Sequence, residues 1–123
     1  MKTAYISGHL DLTEEEFKEH YIPKISLALV SYNKFIVGDA RGADTMSQTY
    51  LNNILCKEDD MTVYHMFEKP RNNVNDFPTV GGFKSDEERD AAMTAASDYD
   101  IAWVRPGREK SGTAKNIARR NKQ

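Results

Sequence analysis

The stretch that most limits how this chain can fold is Phe35-Ile36-Val37-Gly38-Asp39-Ala40-Arg41-Gly42-Ala43-Asp44. A short apolar run ends in two glycines that bracket an aspartate and an arginine, and a helical pattern begins directly afterwards. That order reads as strand, tight turn, helix. It gathers backbone N–H groups and a cation at a helix start, where unpaired donors and a partial positive charge favour anions. The spacing matches neither the dinucleotide fingerprint nor the P-loop. The residues alone leave two readings open, one wall of a site for a phosphate-bearing small molecule or a plain strand-to-helix turn.

The elements around this stretch repeat its pattern. Thr3 to Ser7 reads as a short buried strand ending at Gly8, with Ser7-Gly8-His9 as the loop beyond it. Thr13-Glu14-Glu15-Glu16 is a capping box that opens a helix. Phe17, Tyr21, Ile25 and Leu29 recur every four residues on one face, and Pro23 is expected to kink or restart that helix. Phe35 to Gly38 is the second strand, followed by a helix from about Ala43 to Leu55 with Met46, Tyr50 and Ile54 on one side. Lys57-Glu58-Asp59-Asp60 reads as a solvated charged turn, and Met61 to Phe67 as the third strand. Glu68 to Lys84 is long for a connection, which suits either a binding loop or a surface excursion. Ser85-Asp86-Glu87-Glu88 is a second capping box, opening a helix through about Ser97 in which Ala92, Met93 and Ala96 face the core. Asp100 to Val104 is the fourth strand, Arg105 to Lys110 a basic loop, and Ser111-Gly112-Thr113 the start of a last helix with Ile117 and Ala118 inward.

Strands that alternate with helices and carry few charges predict an α/β fold, a Rossmann-like three-layer α-β-α sandwich with a parallel sheet of about four to five strands. Its 123 residues suit one domain. Ligands of such sheets bind beyond the carboxyl ends of the strands. Each expected end carries glycine or polar chemistry: Ser7-Gly8-His9, Gly38 to Gly42, Glu68 with Arg71, and Arg105 to Thr113.

Composition narrows the partners. A formal net charge of -2 gives no global pull toward nucleic acid or membrane. A local basic stripe, Arg105, Arg108, Lys110, Lys115, Arg119, Arg120 and Lys122, keeps single-stranded nucleic acid as a third, disfavoured class. No apolar run approaches the ~20 residues that span a bilayer, and Met1 to Gly8 is not the pattern of a signal peptide. Cys56 is the sole cysteine, so an internal disulfide is excluded and a reducing, cytoplasmic location is expected. No cysteine/histidine cluster has metal-ligand spacing, so neither a metal nor another cofactor is expected.

Taken in order, Ser7-Gly8-His9, Gly38-Asp39-Ala40-Arg41-Gly42-Ala43-Asp44, Arg89 with Met93, Asp100-Ile101-Ala102-Trp103 and Ser111-Gly112-Thr113 resemble the SLOG superfamily. These are Rossmann-like domains that bind nucleotides or nucleotide-derived ligands, and they include the Lonely Guy phosphoribohydrolases and DNA-processing proteins. The resemblance covers nearly the whole chain and looks closest to the small stand-alone members. It implies that Gly38, Gly42 and Ala43 line the base or ribose side of a ligand. It implies that Arg89 sits near a phosphate and a glycosidic bond, and that Ser111, Gly112 and Thr113 form a phosphate loop. Relatives that pair helices into dimers make a homodimer an expectation too. One departure matters: the hydrolases carry a catalytic glutamate where this chain has Asn116, and an amide cannot serve as a general base.

The sequence therefore leaves three functions: a nucleotide sensor or sequestering protein, an enzyme that cleaves or transfers at an N-glycosidic bond, or a single-strand binder. For the enzyme, Arg89 is the electrostatic group and Asp39 or Glu68 the carboxylate. For any ligand, Ser7, Gly8, His9, Gly38, Asp39, Arg41, Gly42, Ala43, Arg89, Ser111, Gly112 and Thr113 are the contacts. Asp39 and Asp44 read either as an acid/base pair, or with one of them on ribose hydroxyls, or as structural groups; for Asp44 the helix cap is favoured, and for Asp39 an ion pair with Arg41 stays open beside a ligand role. Tyr5 and Phe77 are candidates for stacking on a base, and Trp103 is expected in the core.

Overall fold

The computed structural model describes residues 1–54 and 60–122. Five strands form one all-parallel sheet: β1 (Thr3–Ile6), β2 (Lys34–Gly38), β3 (Met61–Met66), β4 (Thr79–Phe83) and β5 (Tyr99–Ile101). Their order is β4-β3-β2-β1-β5, with Ala4 opposite Phe35 on one side and opposite Tyr99 on the other. The helices are α1 (Glu14–His20), α2 (Ile22–Val30), α3 (Ala43–Asn52), α4 (Asp86–Ala95) and α5 (Gly112–Asn121). The fold is the expected Rossmann-like α/β sandwich.

Alternation along each strand divides the interior in two. Ala4, Ile6, Phe35, Val37, Met61 and Val63 turn to one face, where Phe17, Tyr21, Ile25, Ala43 and Leu51 from α1–α3 cover them. Tyr5, Ile36 and Tyr64 turn to the other face, met by Met93 of α4. The first core is large and apolar; the second is small.

Several expectations need correction. The 68–84 segment holds a strand, β4, whose Gly81-Gly82 pair hides strand propensity; a Cβ at Gly81 would run into the His65 ring. The rest of that segment is pinned. Gln48 donates to the carbonyls of Gly38 and Asn72 and accepts from Val74 N–H, and Asn73 bonds both backbone groups of Phe77. Phe77 is a core residue, not a stacking platform. Pro23 does restart the helix: α1 ends at His20 and α2 begins at Ile22. α3 ends at Asn52, three residues early, and β5 ends at Ile101, so Trp103 packs on the core from a loop, stacked on His20 at 3.9 Å. On α5 the inward residues are Thr113 and Asn116, while Ala118 is exposed; on α4 Ala96 is exposed. Cys56 and the turn at 57–59 lie outside the described residues. Among the described residues no helix is long and apolar enough to cross a membrane.

Candidate functional site

The chain runs outward from β1 to β4, then returns to place β5 on β1's other edge. The loops after β1 and β5 therefore diverge and leave a crevice between them. A cavity of about 520 Å³ opens there, along the carboxyl ends of the strands. The loop after β1, the turn after β2, Arg71, one face of α4 and the first turns of α5 form its walls.

The turn after β2 needs its glycines. Gly42 sits at φ +75°, and a Cβ there would strike the carbonyls of His9 and Leu10. Gly42 is also the residue before α3, and the Ala43 N–H donates to the His9 carbonyl at 3.1 Å, which ties the β1 and β2 loops together. At Gly38 a Cβ would stand 2.5 Å from Asp44 Oδ2, so the missing side chain makes room for a carboxylate.

Asp39 is 1 % exposed and held on both oxygens. Arg71 donates to Oδ2 from its backbone N at 2.7 Å and its Nε at 3.3 Å, and to Oδ1 from Nη2 at 2.8 Å. Arg89 Nη1 adds a bond to Oδ1 at 3.1 Å. Burial alone would raise this carboxyl, but the Arg71 bonds and the two guanidinium charges outweigh it and hold it below the ordinary carboxylate range. Asp39 is thus an ionised clamp that aims two arginines, and it does not line the cavity. Its partner is not Arg41, which is exposed at the cavity mouth and makes no ion pair among the described residues.

Asp44 behaves in the opposite way. It lies in the first turn of α3 without capping it; Oδ2 accepts the Ala40 N–H at 3.1 Å, and no other donor among the described residues reaches the carboxyl. Burial pushes it up to about 7, with Asp90 and Asp39 adding to the rise, against the pull of Ala40 N–H and Arg89. Asp44 lines the cavity as a buried carboxyl that ionises less readily than an ordinary one.

A polar line crosses the small core beneath the cavity. Asn116 Nδ2 donates to the Tyr5 hydroxyl at 3.0 Å, and Tyr5 donates to Asp90 Oδ1 at 3.3 Å. Arg89 bonds the same oxygen through Nε and Nη2 at 3.3 and 3.2 Å, then reaches Asp39. Burial, Asp90 and Asp44 together push the Tyr5 phenol far above its usual value, so it stays a donor. Arg119 Nη1 fixes the Asn116 amide at 2.7 Å.

At the other end stands the start of α5. Ser111 caps it, accepting the Ala114 N–H at 3.2 Å, while Gly112 and Thr113 occupy first-turn positions whose N–H groups have no intrahelical acceptor. A Cβ at Gly112 would meet nothing, so this helix start is open to approach. Ser7 Oγ, which lines the same cavity, is buried without a hydrogen-bond partner among the described residues. His9 Nε2 accepts the Arg105 N–H at 2.9 Å, which requires the proton on Nδ1. Burial, then Arg105 and Arg108, depress its pKa and keep it neutral. Arg105 bonds Glu16 and Asp11, and Arg108 bonds Asp11 at 2.8 Å.

The residues singled out in the sequence separate accordingly. Ser7, Gly8, His9, Gly38, Arg41, Arg89, Ser111, Gly112 and Thr113 line one cavity. Gly42 and Ala43 stand behind its wall, where they join two loops. Glu68 is exposed and outside the cavity. Sequence reasoning missed Asp90, Asp86, Asp11 and Arg108 as lining residues. Asp86, Asp90 and Met93 fall at i, i+4 and i+7, the helical face that also holds Arg89 at i+3; that spacing was the available signal. Set against protein-family models, characterised proteins and solved structures, the chain matches none of them.

Proposed function

We propose that the protein binds a nucleotide or nucleotide-derived ligand in the cavity at the carboxyl edge of its sheet, as a sensor or sequestering protein. One observation carries this reading: Ser7, Arg41, Arg108 and the open first turn of α5 face a single cavity. Unpaired helix-start N–H groups, a spare hydroxyl and guanidinium groups are the donors an oxyanion needs. The remaining volume, lined by Gly38, Tyr5, Met93 and Asp90, suits a polar ring system.

Two observations favour this reading over its rivals. Among the carboxylates first considered for N-glycosidic cleavage, Asp39 is locked by two arginines and Glu68 lies elsewhere, while Asn116 is spent on Tyr5 and Arg119. Within the basic C-terminal stripe, Arg105 is committed to Asp11 and Glu16, and Arg120 to Asp100 and the Ser97 hydroxyl. Those two arginines are not free to meet a phosphate backbone.

The test is thermal denaturation with 5′-mono-, di- and triphosphates of the common nucleosides at millimolar concentration. At least one raises the melting temperature by several degrees, and Arg108→Gln weakens that rise. No stabilisation by any nucleotide refutes the reading. Release of free base on prolonged incubation would instead support the N-glycosidase.

A further inference from the structure

We propose that an oxyanion entering this cavity brings a proton with it, taken up by Asp44. The inference rests on the reading that the cavity takes an anionic ligand. Its geometry is the burial of Asp44 on the cavity wall, with one backbone donor on Oδ2 and, among the described residues, no side chain bonded to it.

The surrounding charges explain why Asp44 is the group that responds. From α4, Arg89 faces it but is spent on Asp39, Asp86 and Asp90. Asp90 of the same helix repels it. From the end of β2, Asp39 repels it too, though Arg71 and Arg89 largely cancel that charge. From β1, the Tyr5 hydroxyl points its hydrogen at Asp90 and gives none to Asp44. Across the cavity, Arg108 is balanced by Asp11, and Arg41 stands exposed at the mouth. Carboxylates thus outnumber free cations on the Asp44 side. An added anion makes the ionised form costlier, and burial has already moved the Asp44 midpoint up to about 7. A further negative charge within the cavity lifts that midpoint by about one pH unit at the effective dielectric of such sites. His9 also lines the cavity, but its depressed pKa removes it from this range.

The experiment is isothermal titration of the full chain with sulfate, AMP, GMP, CMP and UMP at pH 7.5. Two phosphate-free buffers of different ionisation enthalpy are used, on wild type and on Asp44→Asn. The amide keeps an oxygen for the Ala40 N–H, so the turn is retained. The expected result is uptake of roughly half a proton per bound anion in wild type and close to none in the variant. Affinity of the wild type should also improve several-fold from pH 9 to pH 6. Carboxyl carbon NMR of wild-type Asp44 with and without the anion reads the same quantity should the variant not fold. Binding with equal uptake in both proteins, or an unmoved Asp44 midpoint, overturns the inference and leaves the anion site standing. Absence of binding by all five anions removes the anion site and the inference together.

Discussion

Replacing Asp44 by asparagine should change the stability of the free protein in a way that depends on pH with a definite sign. Burial raises this carboxyl from an ordinary 3.8 to about 7. Between those values the unfolded chain has lost the proton and the folded chain retains it. Stability therefore falls by about 1.4 kcal/mol per pH unit across that window, from its full value below pH 4. Over some three pH units the Asp44 contribution amounts to about 4 kcal/mol at most, since water and neighbouring groups relax around an ionised buried carboxylate. Asparagine keeps the acceptor for Ala40 N–H and has no proton to lose. Urea unfolding of both proteins from pH 4 to pH 8 is the assay, read as the difference between them. Asp39 and Glu16, the latter held down to about 2 chiefly by its bonds to Arg105, bend both curves equally in the acid range and cancel in that difference. The variant should gain about 2–4 kcal/mol on wild type between pH 4 and pH 8. A difference that stays flat refutes the placement of Asp44 as a buried acid.

Asp39→Asn removes the buried charge that Arg71 and Arg89 share, leaving Arg71 without its carboxylate and Arg89 with Asp86 and Asp90 alone, and should cost about 1.5–3 kcal/mol in denaturant titration. Because the folded-state pKa of Asp39 is depressed, its contribution is present above the unfolded value and lost as pH falls through the folded one. The cost should therefore shrink in strong acid. Gly42→Ala forces a side chain into φ +75° against two carbonyls and should lower stability by more than the ~1–2 kcal/mol of left-handed strain alone, measured by thermal melting. Asn116→Glu, which places a carboxylate in the first turns of α5, takes the amide donor from Tyr5. It should destabilise by about 1–3 kcal/mol without releasing free base from any mononucleotide.

Fold class was readable because alternating strand and helix patterns and two capping boxes are local signals. Thr13 closes the full box with Glu16, while Ser85 caps its helix and Glu88 accepts the Lys84 N–H instead of closing a second box. What escaped is what depends on distant partners. β4 carries two glycines, whose low strand propensity is overruled by packing over His65. The inward face of α5 is polar, so a hydrophobic period picks Ile117 and Ala118 and passes over Thr113 and Asn116. For the cavity, strand-end logic gathers the right loops, since the end of a parallel strand is fixed by the strand itself. It could not tell Asp39 from Asp44. Five residues apart on one turn, they differ only in Arg71 and Arg89, which arrive from elsewhere in the chain and clamp the first.

The unequal cores explain why a cavity exists at all. Alternation in β1 sends Ala4 and Ile6 into an apolar layer and Tyr5 and Ser7 to the opposite side. There the covering helices present Arg89, Asp90, Thr113 and Asn116, which are poor fillers of space. Buried groups of that kind cost stability unless every one is bonded. Asn116, Tyr5, Asp90, Arg89, Asp39 and Arg71 meet that condition as one continuous line. An apolar replacement of similar volume would hold α4 and α5 on the sheet at least as well, as buried ion pairs rarely outperform packed hydrocarbon. It would also close the space above them and leave no charge to aim. On the proposed reading, the polar line is the floor of a binding site rather than a device for stability. The same cavity wall also carries the first-turn N–H groups of α5 and the buried Asp44 carboxyl, neither of which belongs to that line.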